Sequence, residues 1–334
     1  MRTQTVPSAS PAGAPPGSAA TATADAGTTG TPPERNPGSG PGTGTRQNRR
    51  RARERMGGAM ASKAVVNAVL LVAVLYTLMP LTWLLIAATK NHADLFGTAG
   101  FRFGEFHLFD NLEAVFTYDD GIFARWLLNS VLYSVVGSLA SSLISVAAGY
   151  CFDKYQFRGK GALFGLILIG TLLPGVVITL PQYLLASEVG IVNTYWAILV
   201  PSLVNPFGVY LARVFSEGYV PGEVLEAARI DGASEIRVFR SISLPMLMPG
   251  FMTLFLFSFT ASWNNFFGPL VMLNDHHLYP AVLGIYNWNQ LVVQNPELYS
   301  LAITGSLVTV IPLAIAFIGL QRFWRSGLSA GALK

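Results

Sequence analysis

Six stretches of this chain contain no Asp, Glu, Lys, Arg or His: residues 64–88, 127–150, 162–186, 194–212, 246–273 and 301–320. An α-helix needs about 20 apolar residues to cross a hydrocarbon core of about 30 Å. Each stretch approaches or exceeds that length. One such run could be a buried helix of a soluble protein, but six in one chain leave that reading little room. Spanning β-strands would be about ten residues long and would alternate in polarity, and these runs do not alternate. Charged residues make up only 12% of the chain, against about 25% in soluble domains. The expectation is an all-α polytopic membrane protein with six transmembrane helices.

The positive charges orient it. If the N-terminus lies in the cytoplasm, 19 of the 22 Lys and Arg fall in the tail, residues 151–161, residues 213–245 and the C-terminus. The outside loops then hold only Lys90, Arg102 and Arg125. The positive-inside rule predicts both termini in the cytoplasm of a bacterial plasma membrane protein. Residues 1–62 are rich in Pro, Gly, Ala, Ser and Thr, and read as a disordered basic cytoplasmic tail. Its arginines, Arg46 to Arg55, suit either a topology signal or contact with anionic membrane lipid. The first apolar run is too long for the core of a cleavable signal peptide. Residues 63–334 form the expected six-span domain, with its core at 125–324. The net charge of +4 is no argument for nucleic acid.

Within the runs, Gly137, Ser141, Ser145 and Gly149 recur every four residues. They make a smooth ridge on which another helix can lie closely. Pro174, Pro181, Pro201 and Pro206 should kink the third and fourth spans.

The loop at residues 213–245 is the most informative. It reads Pro221-Gly-Glu-Val-Leu-Glu226-Ala227-Ala228-Arg-Ile-Asp-Gly232, then nine residues, then Ile242-Ser-Leu244-Pro245. Pro221 suits the start of a helix. Gly232 suits its left-handed end, and Ser234 can cap a second short helix. Leu225, Ala228 and Arg229 fall on one face, and the two small alanines let another surface approach. The expectation is two short helices set at an angle by a glycine, able to pass motion from a soluble partner into the membrane.

This segment resembles the Glu-Ala-Ala, three residues, Gly, nine residues, Ile-x-Leu-Pro motif of permeases in binding-protein-dependent ABC importers, at every defined position. The ending Gly327-Leu-Ser-Ala-Gly331-Ala332-Leu-Lys334 is similar to that of sugar-importer permeases of the maltose type. Looser similarities lie at Trp126-Leu-Leu-Asn129-Ser130, at Gly190-Ile191-Val-Asn193-Thr194 and at Trp263-Asn264-Asn265-Phe266. The resemblance implies the type I transmembrane fold of ABC importers. It also implies a second, related permease, a cytoplasmic ATPase dimer that binds ATP and Mg, and an extracytoplasmic sugar-binding protein. By this likeness Glu226, Ala227, Ala228, Gly232, Ile242, Leu244 and Pro245 couple the ATPase to transport, and ATP binding switches the permeases from inward-facing to outward-facing.

The chain has no Gly-x-x-x-x-Gly-Lys-Ser/Thr, so the energy source is a partner chain and no cofactor is expected here. No nucleophile arrangement or paired buried carboxylates suggest an enzyme. The histidines His92, His107, His276 and His277 lack a spaced partner set and read as solvated loop, with no metal expected. A secondary transporter would usually carry an ionisable group inside a span, and the six runs have none. A sugar path needs hydrogen-bonding groups and aromatic faces. The candidates are Asn129, Gln182, Tyr183, Asn205, Trp263, Asn264 and Asn265, each of which could instead bond a neighbouring helix.

Overall fold

A computed structural model describes the backbone of residues 44–330 and the side chains of residues 63–319 and 321. The chain divides into two units, Met1–Val69 and Leu70–Lys334. In the first, the backbone is helical from Gly44, the start of α1 (Gly44–Ala88). The expected unstructured tail is thus helical over residues 44–62. Its Arg, Glu, Met and Ala residues are strong helix formers, which outweighs Gly57 and Gly58. Residues 1–43 of the tail, and Gly331 to Lys334 of the C-terminal signature, lie outside the described residues.

In the second unit, the segment after α1 carries α2 (His92–Gly97) and α3 (Leu108–Thr117). A left-handed turn at Asp119, Asp120 and Gly121 then leads into α4 (Ile122–Lys154). Helix α4 is the hub, and the expected ridge of small residues is its contact face. A Cβ on Gly149 would lie 2.6 Å from Ala212 Cβ and from Arg213 N, and one on Gly137 would lie 2.7 Å from Ser202 Oγ.

The third run is not a straight span. It forms α5 (Lys160–Leu172) and α6 (Gly175–Glu188), bent by 109°. The cause is Pro174, which lacks an N–H and holds Leu173 extended (φ −77°, ψ 123°). The fourth run breaks between α7 (Trp196–Ser202) and α8 (Pro206–Tyr219). There Asn205 caps α8 by accepting from Gly208 N at 2.8 Å, and Pro206 opens the helix.

After the loop helices α9 (Gly222–Ile230), α10 (Glu235–Val238) and α11 (Leu244–Met246), the fifth run gives only α12 (Met248–Trp263) and α13 (Phe267–Met272). The chain turns by 74° at the start of α12. It then passes through α14 (Ala281–Leu291) into α15 (Leu298–Ala330). Among the described residues, four helical stretches are long and apolar enough to cross a membrane, or up to six if each bent pair is one span. Large apolar side chains stand on the outside of the unit, such as Leu172 at 80% and Ile318 at 64% exposure. A water-soluble monomer does not carry apolar surface on that scale, whereas lipid tails cover it.

Candidate coupling and transport sites

The segment between α8 and α12 is fastened along one side and bare along the other. Val220, Leu225, Ala228, Val238 and Leu247 are buried in one cluster with Val146 and Tyr150 of α4, Ala212 of α8 and Leu254 of α12; Ile242 and Leu244 pack against it, half-buried. The end of α4 adds polar anchors. Lys154 Nζ donates to Val220 O at 2.6 Å and pairs with Asp153 at 2.8 Å. Asp153 in turn accepts from Ser216 Oγ at 2.7 Å.

The turn between α9 and α10 is a Schellman motif. Gly232 N donates to Arg229 O and Ala233 N to Ala228 O, both at 3.0 Å, with Gly232 at φ +81°. Ser234, expected to cap α10 with its hydroxyl, makes no such bond; its backbone is extended and its carbonyl accepts from Val238 N at 2.9 Å. The angle is held instead by Arg229, whose Nε and Nη2 donate to Glu235 at 2.7 and 3.1 Å, and by Tyr155, whose hydroxyl donates to Glu235 at 2.6 Å. The Arg229 bond, then the Tyr155 bond, hold the Glu235 carboxyl below its usual range. Partial burial, then Glu235, push the Tyr155 phenol up.

The motif therefore divides. Ala228, Ile242 and Leu244 face inward and seat the loop. Glu226, Ala227, Gly232 and Pro245 are exposed, beside Ile230 at 87% and Ile236 at 80% exposure. Among the described residues nothing covers this corner.

At the other end of α4, side chains close on one loop. Trp126 Nε1 donates to His276 O at 2.7 Å, and Arg125 Nε to His277 O at 3.0 Å. Asn129 Nδ2 donates to His277 O at 2.8 Å and to Tyr279 O at 3.0 Å, and Tyr133 to Leu278 O at 2.9 Å. Ser130 Oγ accepts from Ala281 N at 2.8 Å. From the other side Asn193, at φ +59°, accepts from Asn274 N and Asp275 N at 2.9 Å each. Two of the looser motifs thus meet here. Residues Asn129 and Lys154 lie about 37 Å apart along α4 at 1.5 Å per residue, more than a hydrocarbon core of about 30 Å. The clamp and the coupling segment therefore belong to opposite faces of the membrane.

The seven expected path residues do not gather at one place. Gln182 and Asn265 line a cavity of about 460 Å³ between α6, α7 and the α12–α13 break, with Thr179, Ser202 and Phe267. The Gln182 amide has no hydrogen-bond partner among the described residues. Asn129 (4% exposed) is consumed by the clamp and also accepts from Tyr195 at 3.2 Å. Asn205 caps α8 and donates to Ser258 at 3.2 Å. Trp263 is buried and stacked on Phe259. Asn264 donates to Thr260 O in its own helix at 2.8 Å, and Tyr183 packs, half-buried, against the cluster around Tyr133 and Ala197. The sequence reading missed Asp153, Lys154, Tyr155 and Glu235 as anchors. The charged and aromatic residues around the end of α4 were a signal for the first three, and Glu235 had none.

The profile of the family described as "Binding-protein-dependent transport system inner membrane component" matches residues 140–326, more than half of the chain. The chain belongs to that family. It is a transporter subunit and not an enzyme. Among relatives of this permease, the arabinooligosaccharides transport system permease protein AraQ of Halalkalibacterium halodurans is 34% identical over 225 residues, 67% of this chain and 79% of the relative. The lactose transport system permease protein LacG of Rhizobium radiobacter is 27% identical over 267 residues, 78% and 93% of the two chains. A chain of a bacterial ABC transporter involved in import of the acidic polysaccharide alginate superposes with a TM-score of 0.69 at 20% identity, over 79% of this permease and 97% of that chain. The fold is thus that of the ABC importer permeases.

Proposed function

We propose that this permease translocates a sugar or oligosaccharide across the bacterial plasma membrane, driven by a separate ATPase dimer that docks on the α9–α10 corner. The observation that carries this reading is the division of the loop: a seated inner side bonded to α4, and an exposed side with Glu226, Ala227, Ile230 and Gly232. Such a corner can transmit a push into α4, α8 and α12 without deforming, because all three share its core. ATP and Mg belong to the partner. The cavity at Gln182 and Asn265 is this chain's share of the path, and a second permease supplies the facing wall. Relatives named for arabino-oligosaccharide and lactose transport support the substrate class. A similar solved chain, with a TM-score of 0.57, is in complex with a periplasmic protein bound to an alginate pentasaccharide, which supports delivery by a binding protein at the clamp face. In this reading both termini lie in the cytoplasm, which the distribution of Lys and Arg supports.

The test is purification of the full chain from native membranes in mild detergent, with the accompanying proteins identified by mass spectrometry. A P-loop ATPase and a second permease should co-purify, and alanine-to-arginine substitution at Ala227 should release the ATPase while keeping the permease pair. Retention of the ATPase by that variant would refute docking at this corner.

A further inference from the structure

The loop held by the clamp carries three side chains that belong neither to the coupling corner nor to the cavity at Gln182 and Asn265. Asp275, His276 and His277 each offer one ligand atom, and these atoms lie within 4.8 Å of one another. Sequence spacing read the two histidines as solvated loop; the fold assembles the set. Carbonyls 276 to 279 are all turned inward, to Trp126, Arg125, Asn129 and Tyr133. Amides 274 and 275 are turned to Asn193. His277 N–H donates to Asp275 Oδ1 at 2.8 Å, which leaves Oδ2 for another partner. With the backbone fixed from both sides, the side chains project together into solvent. His276 is 52% and Asp275 43% exposed, and the two imidazole centroids are 4.1 Å apart.

We propose that this loop binds one divalent transition cation of the zinc class through both imidazoles and the Asp275 carboxylate, with water completing the shell. Mixed nitrogen and oxygen donors suit zinc, nickel and copper. Around a tetrahedral zinc with bonds of about 2.0–2.1 Å, donor atoms sit about 3.4 Å apart. The present spacing, within 4.8 Å, must close to that value by movement of the side chains, since the backbone is held. The clamp has already ordered the backbone, so binding does not bear that entropic cost.

The full-length chain, with its co-purifying subunits and an affinity tag lacking histidine, is stripped with chelator and titrated with zinc chloride against a chromophoric competitor. One saturable equivalent should be lost in H276A/H277A. Each single alanine variant should weaken it by about tenfold or more. Asp275→Asn, which keeps the amide cap, should weaken it less, and His107→Ala should leave it unchanged. The metal-free melting temperature of H276A/H277A should match wild type, because carbonyls rather than imidazoles hold the loop. Unchanged zinc stoichiometry and affinity in the double variant, or no saturable equivalent in the wild type, would overturn the site. Neither result depends on transport or on ATPase docking.

Discussion

Gly232 allows the sharpest test of the coupling corner. Its φ of +81° lies in the left-handed region, and among the described residues no atom beyond its own chain neighbours lies within 4 Å of where a Cβ would stand. A substitution there meets backbone strain and no steric block within the chain. A non-glycine residue in that region costs about 1–2 kcal/mol, and Asn tolerates it best; a β-branched residue is a genuine outlier. A penalty of 1–2 kcal/mol shifts a conformational ratio by about 5- to 30-fold, away from the Schellman turn that sets α10 against α9. Gly232→Val should therefore lower ATP hydrolysis stimulated by loaded binding protein in the purified complex by about that factor, with normal insertion and permease pairing. Gly232→Asn should retain most of the activity. Wild-type activity in the valine variant would refute the turn as a coupling element. Equal loss in the asparagine variant would also refute the strain argument, since it would mean that the ATPase needs the space and not the turn.

Asn129→Ala should lower the melting temperature of the permease, because it strips the Asn129 donor from the Tyr279 carbonyl, at about 1–3 kcal/mol for that group left unsatisfied, while the His277 carbonyl keeps its bond from Arg125; an unchanged melting temperature would show that the clamp is not structural. Gln182→Ala and Asn265→Ala should each lower uptake several-fold with assembly intact, whereas Asn264→Ala, whose amide serves its own helix, should not; unchanged uptake in the first two removes the cavity from the path. Glu235 makes the corner pH-sensitive in one direction. Its folded-state pKa is depressed by Arg229 and then Tyr155, so its contribution is complete above the usual carboxylate value of about 4.3 and is lost as pH falls through the lowered one. Hydrogen exchange in residues 228–238, corrected for intrinsic rates, should be flat from pH 8 to 5 and rise under stronger acid. Glu235→Gln should raise it already at neutral pH.

The sequence by itself determined the number of apolar runs, because hydrocarbon thickness fixes how many residues a span needs. It also determined the corner, since Pro221 and Gly232 act within a few residues of themselves and the ridge from Gly137 to Gly149 repeats on one helix face. The proline positions announced the breaks, including the 109° bend at Pro174, but not the partners that α5 and α6 find beyond it, α8 and α13. Tertiary structure alone decided what Asn129 does. A polar residue in a span looks the same whether it waits for a sugar or holds a loop, and the carbonyls that claim its amide are 148 and 150 residues away. Asp275, His276 and His277 are neighbours in sequence, but the fixing of their loop backbone by α4 and Asn193 is likewise tertiary. Short-range geometry is written in local spacing. Pairings across the fold depend on which helices pack, and only the packed chain reveals them.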